Sequence, residues 1–225
     1  DIAAELLYMN TAHGTHLGLE GEDWDFVAIV RYPSRAKFLA MQDDPQYQDI
    51  MKFRTGSLVN SRLIESVPDR PDRYPTSIGE PMPSETIVSR GAQPADARSS
   101  QIGNRPTNEP LYMFNLVRCA EIADDGAGVD GLDGGTAYDA YGSELSASEL
   151  GQRTGLEIAW RAYPLKPLIG PVDELWDQAL MVRYPSRDHL IEKAQSDEYR
   201  SDHGPVRAAA LCASRLIEPT IPPSI

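Results

Sequence analysis

Along the second half of the chain, stretches in which apolar residues have the spacing of a β-strand are interspersed with stretches in which they have the spacing of a helix. Stretches typical of strands, with alternating or continuous apolar residues, occur at 111–119, 156–164, 176–185 and 210–218. Helix-like apolar spacing occupies 137–154, ends near Gly155, and returns after Ser186. The predicted order is therefore β-α-β-β-α-β, which is the ferredoxin-like arrangement.

The first 66 residues show a shorter version of the same order. The spacing predicts a helix over 1–12, then strands over 15–21 and 26–32. A helix after Ser34 and a strand over 57–65 follow. A counterpart of the opening strand is missing, and the loss of a central strand would exceed a typical domain's stability of about 5–15 kcal/mol. We therefore expect an upstream segment, a partner chain or the folded-back linker to supply that strand, and we favour an upstream segment resembling 112–119.

Two segments of the chain have closely similar sequences. Residues 24–35 read WDFVAIVRYPSR and residues 176–187 read WDQALMVRYPSR, while SRLIE occurs at both 61–65 and 214–218. This repeat predicts an α+β chain of two tandem ferredoxin-like (βαββαβ) units, with 24–66 and 176–218 related by a near two-fold axis. Each unit covers one sheet face with helices, so we expect the open faces to pack sheet-to-sheet as an intramolecular, dimeric-type α/β barrel.

Two irregular stretches separate the predicted elements. Residues 67–110 are rich in Pro, Ser, Arg and Asp and indicate a linker between a first unit at 1–66 and a second at 111–225. Residues 123–136 are acidic and glycine-rich. Their spacing fits no EF-hand, so a flexible loop or lid is favoured over a calcium site.

Composition excludes several classes of partner. A net charge of −13 argues against nucleic acid and anionic membrane surfaces. No apolar run approaches the roughly 20 residues of a membrane span. Cys119 and Cys212 give no disulfide framework, which favours the reduced cytoplasm. No motif for a metal, a phosphate or another cofactor is present, so we expect no cofactor.

The repeated motifs resemble a known bacterial family. An aromatic-Pro-Ser after the third strand, then Ser/Asp-x-x-Tyr and an Arg before the closing strand, is similar to the family called domain of unknown function 1330. The matching residues are Tyr32-Pro33-Ser34, Asp44, Tyr47 and Arg54, and again Tyr184-Pro185-Ser186, Ser196, Tyr199 and Arg207. The resemblance implies membership of the dimeric α/β-barrel superfamily and says little about activity.

Four repeated side chains are candidate ligand-binding residues. Arg31 and Arg183 end their strands at matching positions and could point into the barrel toward a carboxylate, or else pair with a carboxylate at its rim. Tyr32 and Tyr184 follow them directly.

Two further residues are candidates for catalysis. His16 could act as a general base in the barrel, because histidine titrates near neutrality. Asn115, in the middle of an apolar strand, could orient a ligand or bond within the sheet.

Three functions remain open from the sequence. The first is a cofactor-independent enzyme of oxygenase, isomerase or cyclase type acting on a small organic substrate. The second is a non-catalytic protein that binds a small acid in the same cavity. The third is an assembly role, in which the pseudo-dimer builds a larger homo-oligomer. A titratable group in the cavity favours the first, a lining of Arg and apolar residues the second, and a filled barrel the third.

Overall fold

The computed structural model describes residues 3–18, 22–70 and 108–219. Its strands form one curled antiparallel sheet, a half-barrel with the order β2-β1-β7-β4-β6-β5-β3. The strands are β1 (Glu5–Leu17), β2 (Phe26–Arg31), β3 (Leu63–Val67), β4 (Leu111–Cys119), β5 (Glu157–Ile169), β6 (Gln178–Tyr184) and β7 (Leu211–Pro219).

Helices connect these strands. They are α1 (Arg35–Gln42), α2 (Pro45–Ser57), α3 (Gly134–Ala147), α4 (Glu149–Thr154), α5 (Arg187–Gln195) and α6 (Gly204–Ala210), with a π-helical turn at Tyr199–His203 before α6. Asp133 caps α3 by accepting a hydrogen bond from the Thr136 amide, and Gly155 ends α4 in the left-handed conformation. No helix in the described ranges combines the length and apolarity that crossing a bilayer requires.

Residues 111–219 follow the predicted β-α-β-β-α-β order closely. The sheet neighbours β7-β4-β6-β5 are strands 4-1-3-2 of this segment, the ferredoxin-like order. Two boundaries differ from prediction. The predicted helix at 137–154 is interrupted at Ser148, whose hydroxyl caps α4, and β5 continues to Ile169 because its second half pairs with β3.

The predicted helix at 1–12 is wrong. Most of that segment, together with part of the predicted strand at 15–21, forms the single strand β1. Its side chains alternate in exposure from Tyr8 to Gly14, a period of two that pairing with β2 and β7 imposes. The predicted strand at 57–65 starts late, at Leu63, because α2 continues to Ser57.

The two ends of the sheet exchange strands reciprocally. The second half of β1 pairs with β7, from Ala12 opposite Pro219 to Leu17 opposite Leu216. The second half of β5 pairs with β3, where Ile169 lies opposite Leu63. Strand β1 thus pairs first with β2 of its own segment and then with β7, the last strand of the other segment. Strand β5 likewise pairs first with β6 and then with β3. These two shared strands make the sheet continuous.

The two faces of the sheet have different neighbours. The outer face packs beneath α3 to α6, and its strand residues include Met113, Val117 and Leu180. The inner face carries Leu116, Ala179 and Ala213 with their aromatic neighbours.

The two stretches predicted as irregular, the acidic loop at 123–136 and the linker at 67–110, compare differently with the structure. The loop predicted as a flexible lid is packed, because Ala123 and Val129 are buried in the outer core and the Asp124 amide donates to the Ala209 carbonyl. Most of the predicted linker, at 71–107, lies outside the described residues.

Candidate functional site

Aromatic rings line part of the inner face. The rings of Tyr8 and Tyr112 lie 6.5 Å apart, and those of Phe114 and Trp160 stack at the same centroid distance, 6.5 Å. Tyr112 and Phe114 are two residues apart on β4, so they project from the same face and the two pairs are contiguous. All four side chains are half-buried, which leaves part of each ring accessible. We call this region the aromatic cleft.

An arginine lies at the rim of the aromatic cleft. Arg183 lies directly opposite Tyr112 in the β4–β6 ladder and opposite Glu157 in the β5–β6 ladder. A guanidinium nitrogen of Arg183 lies 3.6 Å from a Glu157 carboxylate oxygen, and both side chains are partly exposed. The rim therefore offers a cation whose present partner is accessible to water.

Arg31 occupies the matching position at the end of β2. It forms an ion pair with Glu5 across the β1–β2 ladder, and both side chains are more than half exposed. Arg31 and Arg183 therefore both lie at the sheet rim beside a carboxylate, which is one of the two arrangements that the sequence left open.

The pKa of Tyr8 is raised to about 12, because the effect of burial, with a smaller contribution from the nearby Tyr112, outweighs the lowering by a hydrogen bond with Asn10. Its hydroxyl consequently stays protonated at neutral pH. Tyr8 can donate a hydrogen bond to a ligand but cannot accept a proton as a phenolate.

A closed ring of polar and aromatic contacts joins the two segments of the sheet next to the inner-face core. Its members are Glu22, Trp24, Arg62, Glu174, Trp176 and Arg215. Glu22 accepts from the Trp24 indole at 2.9 Å and lies 2.6 Å from Arg215. Arg215 in turn stacks over Trp176 at 5.1 Å.

The other half of the ring repeats these contacts. Glu174 accepts from the Trp176 indole at 3.3 Å and from Arg62 at 2.7 Å. Arg62 lies over the Trp24 ring at 5.3 Å, which closes the ring. Each glutamate therefore binds an arginine from the other segment, and we call this set the interlock.

His16 lies away from the aromatic cleft. Its Nε2 is 2.8 Å from the Glu218 carboxylate, which also accepts from Arg187, and all three side chains are buried. Glu218 lies two residues after Leu216 on β7, so both side chains project from the outer face, and Glu218 lies beside the first turn of α5. Although burial alone would raise the pKa of Glu218, hydrogen bonds from His16 and Arg187 lower it to about 2.

The remaining candidates also lie on the outer face or its turns. Asn115 lies between Met113 and Val117 and donates to the Met113 carbonyl at 3.0 Å, a bond within its own strand. Tyr184 accepts from the Lys193 ammonium at 3.0 Å, whereas the Tyr32 hydroxyl donates to the Met41 sulfur at 3.7 Å. The structure therefore brings none of these three residues together with His16.

A second polar cluster fills the space beneath α5 and α6. Lys193 lies over the Tyr199 ring at 4.7 Å, and the Tyr199 and Tyr141 hydroxyls are 3.5 Å apart. Burial alone would raise the pKa of Tyr199, but Lys193 and Arg207 together lower it below its ordinary value. These contacts fix the π-helical turn against the sheet, in keeping with a structural role for Tyr199 and Arg207.

The sequence prediction missed the aromatic residues of the cleft. Tyr112 and Phe114 are two residues apart in a segment that was predicted as a strand, and this spacing is the signal that could have placed both rings on one face. Tyr8 had no such signal, because its segment was predicted as a helix. Among the described residues, no group of three or more His, Cys, Asp or Glu side chains could hold a metal ion.

Solved structures similar to this chain include two of the RPA0582 protein. The RPA0582 protein of unknown function from Rhodopseudomonas palustris has a TM-score of 0.52 and 30% sequence identity, covering 60% of this chain and 100% of that chain. The methylated RPA0582 protein gives a TM-score of 0.52 with 31% identity and the same coverage. The chain matches no curated protein. Residues 8–67 match the model of DUF1330, a domain of unknown function. Since the identity with RPA0582 extends over the whole of that protein, this chain belongs to the same family as RPA0582.

Proposed function

We propose that this protein binds a small, flat organic acid in the aromatic cleft. The observation that carries the proposal is the contiguous set of half-buried rings on the inner face, with Arg183 at its rim. Aromatic faces stack on planar apolar groups, while a guanidinium binds a carboxylate through two parallel hydrogen bonds. The ligand class is therefore an aromatic or conjugated carboxylate.

Arg183 can change partners at low cost. Its contact with Glu157 is long, and an ion pair that is accessible to water contributes about 0–1 kcal/mol. A ligand carboxylate that stacks its ring against Tyr112 would present its charge to the same guanidinium. The protonated Tyr8 hydroxyl supplies a second donor nearby.

The site forms between two repeats that we propose to pack as an intramolecular pseudo-dimer. Support comes from the reciprocal ladders β1–β7 and β3–β5 and from the matching halves of the interlock. In this arrangement Tyr8 comes from the first repeat, whereas Tyr112 and Arg183 come from the second. Further self-association of the pseudo-dimer stays an alternative prediction.

Binding is favoured here over a cofactor-independent reaction. General acid–base catalysis needs a group near the substrate whose pKa lies close to the working pH. Tyr8 has a pKa of about 12, and His16 is held by Glu218 on the outer face. Neither residue supports proton transfer in the cleft.

The half-exposed rings likewise favour a binding site over a filled barrel that serves assembly alone.

Titration with aromatic carboxylates tests the proposal. Benzoate, phenylacetate and cinnamate would be compared with benzyl alcohol by calorimetry, with intrinsic tryptophan fluorescence, to which Trp160 contributes, as a second readout. We expect the acids to bind and the alcohol to bind at least tenfold more weakly, because it cannot pair with the guanidinium.

Substitution of Arg183 identifies the site. Arg183→Leu should weaken acid binding at least tenfold, since one charged contact contributes about 1.5–3 kcal/mol. The control is Arg153→Leu, which removes a guanidinium from a partly exposed pair with Glu192 on the helical layer. Equal affinities in the Arg183 variant and the wild type, or no binding of any acid tested, would contradict the proposal.

A further inference from the structure

Arg118 is a buried, charged side chain on the inner face of the sheet. It follows Leu116 by two residues on β4 and lies opposite Ala213 of β7, so its side chain projects from the same face as these two members of the inner-face core. Arg118 is 7% exposed, and its Nη1 atom is buried without a hydrogen-bond partner. Within the described part of the chain, no carboxylate forms an ion pair with this guanidinium.

Two other buried arginines of this segment have the partner that Arg118 lacks. Arg187 contacts the carboxylate of Glu218, and Arg215 contacts that of Glu22. Arginine stays charged in proteins, and a buried charge without a counter-charge is strongly destabilising. The fold therefore carries an uncompensated positive charge at Arg118 unless an anion from solution binds there.

Water reaches the end of β4 that carries Arg118. Cys212 of β7 is only partly buried, and its thiol donates to the carbonyl oxygens of Arg118 at 3.6 Å and of Cys119 at 3.3 Å. Burial raises the pKa of Cys212, and the positive charge of Arg118 opposes that rise, so the guanidinium lies near the thiol. Arg118 is six residues from Tyr112, about 20 Å along the strand, so its position is distinct from the aromatic cleft.

We propose that Arg118 anchors a second ligand site, separate from the aromatic cleft, which takes a short-chain aliphatic carboxylate. The planar guanidinium fits a carboxylate through two parallel hydrogen bonds. One positive charge balances one negative charge, so the ligand is a monoanion. The neighbours Leu116 and Ala213 are aliphatic and would contact a short alkyl group. Binding at Arg118 does not depend on binding in the aromatic cleft.

Urea denaturation of the whole chain in acetate tests this proposal. Sodium acetate would be compared with sodium chloride at equal ionic strength. We expect acetate to raise the urea midpoint of the wild type above its value in chloride, because a ligand that binds the folded state stabilises it, and we expect Arg118→Met to remove this difference. In chloride the variant should be at least as stable as the wild type, because methionine replaces an uncompensated buried charge with an apolar chain. The control is Arg153→Met, which removes a guanidinium from a partly exposed pair with Glu192 and should respond to acetate like the wild type.

Alkylation of Cys212 gives a second readout, which is local to the site and needs no substitution. A carboxylate bound to Arg118 cancels its positive charge, which raises the pKa of Cys212 and lowers the fraction of reactive thiolate. We expect acetate to slow the reaction of Cys212 with iodoacetamide at least twofold relative to chloride, as measured by mass spectrometry of the peptide that carries Cys212.

Three results would overturn the proposal. The first is that acetate and chloride give the wild type the same urea midpoint or the same rate of Cys212 alkylation. The second is that Arg118→Met responds to acetate as the wild type does. The third is a lower urea midpoint for Arg118→Met than for the wild type in chloride, because Arg118 would then have a stabilising partner within the chain.

Discussion

Glu218 is a buried carboxylate that contacts two side chains, His16 from the first segment of the sheet and Arg187 from the second. Its pKa is lowered to about 2 in the folded protein, whereas in the unfolded chain it regains its ordinary value of 4.5. A lowered pKa contributes stability that is fully present above pH 4.5 and is lost as the pH falls toward 2. At 1.36 kcal/mol per unit, the loss amounts to about 3 kcal/mol.

We therefore expect the free energy of unfolding to fall as the pH is lowered from 5 to 2, and Glu218→Gln to remove much of that dependence. Urea denaturation at fixed pH values measures both. Glu65→Gln is the matched control, because Glu65 pairs with the more exposed Arg35. An acid dependence in Glu218→Gln as steep as in the wild type would contradict the prediction.

At the scale of single residues, the local sequence predicts where a side chain lies along a strand better than it predicts which residue that side chain contacts. The repeated motif placed Arg31 and Arg183 correctly at strand ends, since each follows an apolar run directly. His16 has its partner 202 residues away, and no spacing in the sequence indicates such a contact. The sequence identified Asn115 as a polar residue that needs a hydrogen bond. It did not show whether the Asn115 side chain lies on the inner or the outer face of the sheet, because that depends on which face the helices cover.

At the scale of elements, the strands of the second segment were predictable and β1 was not. Strand β4 is an apolar run bounded by Pro110, and β6 follows the repeated Trp-Asp pair, so both carry local signals. The ELLYMN sequence that begins β1 has an apolar pair compatible with a helix. Its strand conformation depends on ladders to β2 and to β7, which lies about two hundred residues away.

The contrast between α2 and α6 predicts unequal responses to truncation. Val206→Ala should lower the free energy of unfolding by about 1–2 kcal/mol, because it removes buried methyl groups from the outer core. Phe53→Ala should change it by less than about 0.5 kcal/mol, because that ring lies mostly in water. Urea denaturation of both variants provides the measurement. A loss on Phe53→Ala as large as that on Val206→Ala would show that the Phe53 ring is covered in solution.

At the scale of the whole molecule, the repeat predicted that the two segments would meet, but not by which contacts. Matching Trp-Asp and Ser-Arg pairs were visible in both copies. The cross-connection of each glutamate to the other segment's arginine could not be inferred, because Glu22 and Glu174 lie outside the shared sequence blocks. Within the described residues, the sheet ends in β2 on one side and in β3 on the other.

The interlock predicts energetic coupling between two distant substitutions. Arg215→Met leaves Glu22 without its cation in a nearly dry site, so it should cost about 3–5 kcal/mol. Arg62→Met does the same to the buried Glu174 and should cost somewhat less, because Arg62 is itself 18% exposed. Since each arginine stacks on the tryptophan that binds the other's glutamate, the two losses should not add.

A double-mutant cycle measures this coupling. Chemical denaturation of both single variants and the double variant should give an interaction free energy of at least about 0.5 kcal/mol. Arg153→Met combined with Arg215→Met serves as the control pair and should be additive, because Arg153 contacts Glu192 on the helical layer and no member of the interlock. If the costs of Arg62→Met and Arg215→Met add as simply as those of the control pair, the six contacts act independently. The two segments would then be held together by their strand ladders and not by the closed ring.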